Sequence, residues 1–522
     1  MSDRDDPTGG DESIPDEFAQ SSDDAAEIAF YGGRGMSAFP IAFFIVWAIA
    51  QTALWRVADE GGLVAGILIG LILGLFFVKG SWKTYANTIF EGMTQPVAVT
   101  AIVAWIWAGM FAETMQAGGF VGGLVWLADL AGVGALLFPA VTFVLAALLA
   151  TGIGTGYGTT VAFIVLFFPA GVLLGANPVL MFGAVLSGAI FGDNLAPVSD
   201  TTIVSAVTQD SDIGGVVASR FKYAIIAALL ALAGYVLASA AMPGLDIAGE
   251  AQEIFIEESE PAGLVHLLSM GVVIATAVAG RHIVEAISWG IVVAFVLNLA
   301  LGLASLGDMI VFRAPADAPL SEEMAFLPFL EIVDPADVGF GGSIIDGASG
   351  FFALSILVLF IIGAAQIMIR GGAFEAVLDW TLDNLATNVR NAELTMVGTT
   401  ALINAAITIN TAAEVAIGPY ISRVGERYNI NGYRRANILD AQTAALGYIF
   451  PWSGGVLVGF AAMRDLPETY DWFEPGMVVN PVEVFPYVFH GWLLVAVFVV
   501  AALTGFGREY TIDRQPEEVA RI

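Results

Sequence analysis

The 522-residue sequence has no cysteine, three histidines and only 13% charged residues. Without cysteine there is no disulfide framework, no thiolate metal site and no cysteine nucleophile. Soluble domains carry about a quarter charged residues, so the low charge content argues against a soluble enzyme. Lysine is scarcer still: Lys79, Lys83 and Lys222 are the whole supply among 19 basic residues, set against 50 acids. No Walker loop, HExxH or GxSxG pattern occurs, so neither ATP-driven pumping nor hydrolysis is signalled. His266, His282 and His490 have no partners at ligand spacing, which leaves no transition-metal centre to expect.

What the chain does have is apolar length. Hydrophobic residues make up 57% of it, and runs such as Met36–Trp55, Gly62–Val78 and Ala224–Met242 approach the roughly 20 residues a helix needs to cross about 30 Å of hydrocarbon. The pattern predicts an all-α polytopic protein of the cell membrane with about 12–14 transmembrane helices. The net charge of −31 is concentrated outside those runs, in the first 27 residues, in "EAQEIFIEESE" (Glu250–Glu260) and between Asp308 and Asp346. The N-terminus is too acidic and polar to be a cleaved signal peptide. Taken as loop residues, Lys79/Lys83, Arg220/Lys222, Arg281, Arg370, Arg423 to Arg435 and Arg508 fall on one side of the membrane. The acidic loops at 243–263, 305–348 and 463–484 then fall on the other.

Two parts of the chain run through the same features in the same order. Glu91-Gly-Met is answered by Asp346-Gly-Ala, "GMFAETMQAGGF" (Gly109–Phe120) by "GAAQIMIRGGAF" (Gly363–Phe374), and the interrupted "ATGIGTGYGTT" (Ala150–Thr160) by "AAITINTAAEVAIGP" (Ala405–Pro419). A long span broken near Asp193 closes the first unit, and one near Asp440 closes the second. An odd number of crossings between them makes the repeats inverted, a pointer to secondary transport. The resulting layout is an acidic disordered cytoplasmic tail (1–35), N-terminal transmembrane helices (36–84), a first transport repeat (85–210), linking helices and acidic outer loops (211–345), an inverted second repeat (346–462), and a final loop, helix and tail (463–522).

The break "FGDNLAPVSDTT" (Phe191–Thr202) violates two membrane rules together, since it puts carboxylates and non-helical backbone at bilayer depth. Pro197 removes an amide donor and turns Ala196 away from helix. Asp193, Asp200, Asn194, Ser199, Thr201 and Thr202 then offer hard oxygen ligands suited to Na⁺. A carboxylate beside a site that can empty binds a proton or a cation in turn, which is the minimal chemistry of an antiporter. A simpler role for Asp200 is to cap a half-helix beginning at Thr201. Thr155 and Thr159 on the glycine-rich tip are expected to reach the ion, with Asn410, Thr411 and Glu414 in the equivalent second break. Asp440 and Thr443 answer the first break from the second unit.

"GAIFGDNLAPVSDTTIVSA" closely resembles the signature of the NhaC family of Na⁺/H⁺ antiporters, with Gly192, Asp193, Pro197, Ser199, Asp200, Thr201 and Thr202 carrying the match. "GTGYGTT" is similar to a second stretch of that family at Gly154, Gly158 and Thr159. The resemblance implies the ion transporter superfamily architecture, with two inverted repeats around a midplane site. Asn194 stands where the family has lysine, Ala196 where it has serine, and Leu439 where it has glutamate. Exchange of Na⁺ for H⁺ is the expected function, with Na⁺ at Asp193, Ser199 and Asp200 and with Asp440 as the counterpart carboxylate. No cofactor is expected beyond the transported ions. The expected partners are Na⁺, H⁺ and the bilayer, a second copy of the chain staying open and nucleic acid excluded. A Na⁺- or H⁺-coupled organic anion or amino acid exchanger is the nearest alternative, a cation channel is a distant one, and an intramembrane hydrolase is more distant still.

Acid-rich, lysine-poor exposed segments suit a protein kept hydrated in high salt, such as one from a halophilic organism. Folding yield is therefore expected to be higher in molar KCl than in dilute buffer, and equal yields would contradict the reading.

Overall fold

The prolines and glycines that interrupt the apolar runs decide where helices stop. In the computed structural model, residues 28–511 are described apart from 56, 58, 198, 243, 245–259, 280 and 320. The acidic residues before Ile28 and most of "EAQEIFIEESE" lie outside that set. Eight described helices are long and apolar enough to cross a membrane, and four shorter apolar ones accompany them (Glu60–Leu75, Phe120–Leu130, Phe138–Ile153 and Pro261–Ala277). Val389–Ile407, Asn410–Arg427 and Gly432–Leu446 are in neither group. Their buried faces carry Thr400, Asn404, Asn410, Glu414, Asp440 and Gln442, so they are matched to protein rather than to lipid.

The two units are visible as structure. Trp82–Met93, Pro96–Ala117, Phe120–Leu130, Phe138–Ile153, Gly156–Leu173, Pro178–Leu195 and Asp200–Thr208 are matched in order by Ser343–Ser349, Phe352–Arg370, Ala373–Asn384, Val389–Ile407, Asn410–Arg427, Gly432–Leu446 and Gly454–Arg464. Landmarks recur at one interval of chain. Gly154 and Thr408 end the fourth helices in left-handed conformation, Pro197 and Pro451 lie in the two breaks, and Ser199 and Ser453 are the N-caps beyond them.

Packing exchanges between the units as a two-fold relation demands. Trp82–Met93 packs on Phe352–Arg370, and Pro96–Ala117 on Ser343–Ser349; Gly156–Leu173 packs on Gly454–Arg464 as Asn410–Arg427 packs on Asp200–Thr208. The glycines quoted from the sequence are the contact points. A Cβ on Gly92 would lie 2.7 Å from Gly363 Cα, and one on Gly347 would lie 2.7 Å from Met110 N beside Gly109. Pro178–Leu195 rests on Phe138–Ile153, where a Cβ on Gly188 would lie 2.7 Å from the Phe143 carbonyl. Outside the repeats, Gly66, Gly70 and Gly74 let Glu60–Leu75 approach Trp47, Pro40 and Tyr85 closely, the helix-packing use their spacing suggests.

Three expectations need correction. The tail does not extend to residue 35: Ala29–Phe30 pairs with Val78–Lys79, and Ile28 and Phe30 are buried with Tyr85 and Ile367, because apolar residues 28 and 30 have a core to enter. Within the acidic stretch 308–346, Val311–Pro315 forms the centre of a three-stranded sheet between Leu330–Val333 and Gly339–Gly341. Arg434 and Arg435 are not loop residues. Arg434 is buried in the first turn of Gly432–Leu446 with its Nε 2.8 Å from Glu393, since a buried guanidinium is tolerated when paired.

Because the units meet at bare glycines, Gly109→Val is expected to lower stability in detergent by about 1–3 kcal/mol or more. The equivalent change at Gly271, which has open space around it, should leave the melting temperature nearly unchanged.

Candidate functional site

The helix Pro178–Leu195 stops where Pro197 dictates. Ala196 is extended (φ −69°, ψ 124°), and a new helix starts at Asp200 with Ser199 at its N-cap. The cap therefore sits one residue earlier than expected. Asp200 is the first helical residue, and its Oδ1 accepts the Thr201 amide at 3.0 Å. Three carboxylates gather around this break, each with its own set of donors.

Asp193 is fully buried. Its Oδ1 accepts the Ser199 hydroxyl at 2.7 Å, and its Oδ2 accepts Asn410 Nδ2 at 2.8 Å and the Tyr448 hydroxyl at 3.1 Å. The Ser199 and Thr201 hydroxyls lie 2.9 Å apart. Asp200 Oδ2 accepts the Thr411 hydroxyl at 2.6 Å. The first break is thus held by the opening turn of Asn410–Arg427 in the second unit. Tyr157, stacked on Tyr448 with ring centroids 5.1 Å apart, also reaches Asn410 from the first unit's glycine-rich tip.

Asp440 is the third carboxylate, and its partners set it apart. Asn194 Nδ2 donates to Oδ1 at 3.1 Å. The Arg220 guanidinium forms a close ion pair with Oδ2, both side chains being fully buried. Thr202 and Ser205 approach the same oxygen at 3.4 and 3.3 Å. Arg220 also donates to the Asn194 carbonyl, to Thr202 and Ser205, and through Nε to Asn437. Its fork is committed to this network.

Arg220 overturns its assignment as a basic loop residue. Asp212 caps the helix Ile213–Ala241 by accepting the Gly215 amide at 2.7 Å, so helix begins well before the apolar run and carries Arg220 inside. An Asp followed by a helical pattern through Val216, Arg220 and Tyr223 was the available signal. The pairing of Asp193 with Asp440 as repeat counterparts is overturned too. Measured from Pro197/Pro451 and Ser199/Ser453, the residue matching Asp193 is Gly447 and the one matching Asp440 is Leu186. Asp440 lies inside the helix Gly432–Leu446, before the second break rather than in it.

The remaining expected residues divide. Glu414 is fully buried and accepts the Thr443 hydroxyl at 2.6 Å. Thr155 serves as N-cap of Gly156–Leu173, with Oγ1 toward the Gly158 amide, and the Thr159 hydroxyl donates back to the Thr155 carbonyl at 2.9 Å. Both threonines finish their own helix rather than joining the carboxylates. Tyr157, Tyr448, Ser205 and Arg220 belong to the site and were not anticipated; the tyrosines were hidden because aromatics in an apolar run read as core.

The Na⁺/H⁺ antiporter family profile matches residues 20–240 and 210–492. The chain is 28% identical over 173 residues to the malate-2H⁺/Na⁺-lactate antiporter of Bacillus subtilis (strain 168), covering 33% of this chain and 32% of that one. It is 27% identical over 208 residues to the arginine/ornithine antiporter ArcD of Halobacterium salinarum, covering 38% and 41%. To the Na⁺/H⁺ antiporter NhaC of Alkalihalophilus pseudofirmus it is 26% identical over 168 residues, covering 30% and 34%. The matched stretches therefore span a third to two fifths of these relatives' lengths. The resemblance read from Gly192 to Thr202 is borne out across the chain by the profile: this multi-pass membrane protein belongs to the Na⁺/H⁺ antiporter family.

Proposed function

We propose that the protein exchanges Na⁺ for H⁺, with Asp193 and Asp200 as the carboxylates that take the cation or the proton. The observation that carries this reading is the pair of acids on the two sides of one helix break, Asp193 accepting the Ser199 hydroxyl, which meets the Thr201 hydroxyl, and Asp200 accepting the Thr201 amide. A hydroxyl donates or accepts as needed. Ser199 and Thr201 can stabilise the ionised carboxylates in one state and turn lone pairs to Na⁺ in the other. All are hard ligands, matched to an alkali cation.

In this reading Asp440 does not carry the ion. Arg220 neutralises it permanently, and together they fasten the second unit's Gly432–Leu446 to both halves of the first unit's broken helix. Asn194, in place of the family's lysine, donates to Asp440 beside that guanidinium, so the positive charge near this point is supplied by Ile213–Ala241. Asn410 and Thr411 hold Asp193 and Asp200 from the opposite unit, so movement of one unit against the other changes the coordination. The domain layout of a tail, two transport repeats and linking helices follows the same division.

Some relatives are named for organic substrates. Arg220, with its Nε and both terminal nitrogens hydrogen-bonded, offers no free fork to an organic carboxylate.

In proteoliposomes, ²²Na⁺ efflux coupled to a ΔpH signal is expected from the wild type and should fall to the level of empty liposomes in Asp193→Asn. Exchange that survives this change would remove Asp193 from the role. For Asp440 the expectation concerns stability. Asp440→Asn leaves a buried guanidinium unpaired and should cost about 3–5 kcal/mol, read as a lower melting temperature. The double variant Arg220→Gln/Asp440→Asn removes both charges and should recover most of that loss.

A further inference from the structure

We infer that Glu414 is a second proton carrier, separate from the Asp193/Asp200 cleft; the inference rests on the exchange reading above. Glu414 is fully buried on Asn410–Arg427, one turn beyond Asn410 and so on the same helix face. Its Oε1 accepts the Thr443 hydroxyl, and its Oε2 has no hydrogen-bond partner among the described residues. Asn404, also fully buried, gives Nδ2 to the Thr443 carbonyl at 2.7 Å, while its Oδ1 is left bare. The cluster around Thr443 therefore holds two unmet acceptor oxygens and lacks a donor.

A bare buried acceptor keeps its full desolvation cost, and a charged one more so. One proton on Oε2 removes the carboxylate charge and converts an acceptor into the donor this cluster lacks. A proton also needs no added room. Two other buried acids make no such demand. Glu393 is met by Arg434 and Arg508, and Asp440 is met by Arg220.

Three charged groups act on Glu414: Asp440 from Gly432–Leu446, Arg220 from Ile213–Ala241 and Asp200 from Asp200–Thr208. Asp440 and Arg220 cancel each other, so Asp200 is the neighbour whose surroundings change during transport. Na⁺ arriving between Asp193 and Asp200 places positive charge about one helical turn away and expels the proton of Glu414. Departure of Na⁺ draws a proton back. The two sites are coupled by field rather than by a shared ligand.

Glu414→Gln keeps the acceptor for Thr443 and fixes a donor at the other position, so it copies the protonated form. Infrared difference spectra of the full chain in lipid, taken across pH, are expected to lose one titrating carboxylic C=O band in Glu414→Gln and to keep it in Asp193→Asn. Asn404→Leu should retain the band at a shifted frequency. In proteoliposomes, Glu414→Gln should move fewer protons per ²²Na⁺ than the wild type. An unchanged band set in Glu414→Gln would overturn the assignment. Loss of the band with an unchanged H⁺ to Na⁺ ratio would also overturn it, because the proton would then be fixed rather than carried. A wild type that shows the band but no Na⁺ flux would instead sink the Na⁺ reading.

Discussion

A carboxylate buried at the centre of this protein must find its donors inside the protein, and that requirement organises the site. Asp193, Asp200 and Asp440 each draw at least one donor from the other repeat or from the linking helix Ile213–Ala241. No single helix could satisfy them. The broken helix of the first unit is therefore stable only against the second unit, and the bare-glycine contacts at Gly92/Gly363 and Gly109/Gly347 bring the units close enough for short polar side chains to span the gap.

The frame is symmetric and the chemistry is not. Helix order, the left-handed ends at Gly154 and Thr408, and the prolines and capping serines of the two breaks all repeat. The charges do not, since Gly447 stands where Asp193 would and Leu186 where Asp440 would. Repetition supplies two broken helices and the packing that supports them. Substitution within that frame puts carboxylates on both sides of one break and none at the other, around Pro451 and Ser453. Thr408 shows the cost of such divergence. A β-branched residue holds the left-handed conformation (φ 67°) that glycine holds at position 154, which is unfavourable by roughly 1–2 kcal/mol. Its carbonyl accepts the Gly454 amide at 3.1 Å, so the strained turn links the second unit's tip to that unit's own break.

Much of this was legible because lipid is an unforgiving solvent. Pro197 and the acids beside it stood out against the apolar background, and the helix break, the buried Asp193 and its Ser199 partner followed. The repeat was legible through glycines that recur at contact points. Arg220 was not, since the polar first turn of Ile213–Ala241 looks like a loop until Asp212 is read as its cap. Asp440 was found as a buried acid but misplaced as a counterpart, because the order of acids along the chain does not fix their register in the helix. Tyr448 and Tyr157 could not be told from core aromatics, since only the partner that a hydroxyl meets distinguishes the two, and that partner lies in the other repeat. Thr155 erred in the opposite direction: threonine near a turn serves as a cap far more readily than as a ligand.

Helix direction explains how several acids share so small a volume with one fixed guanidinium. Gly156–Leu173, Asp200–Thr208, Asn410–Arg427 and Gly454–Arg464 all begin at the site: Tyr157 reaches Asn410, Thr411 reaches Asp200, and the Gly454 amide reaches Thr408. Each helix start carries roughly half a positive charge and unmet amide donors. Four starts turned toward one cluster offset much of its negative charge without contributing a mobile cation. The proposed exchange of Na⁺ for H⁺ needs that balance. Were the carboxylates neutralised by further arginines, Na⁺ would have nothing to bind. Were they left to lipid and water-free protein alone, they would hold protons too tightly to give them up. Helix starts supply a partial, fixed counter-charge, and the remainder is left for the ion or the proton to complete.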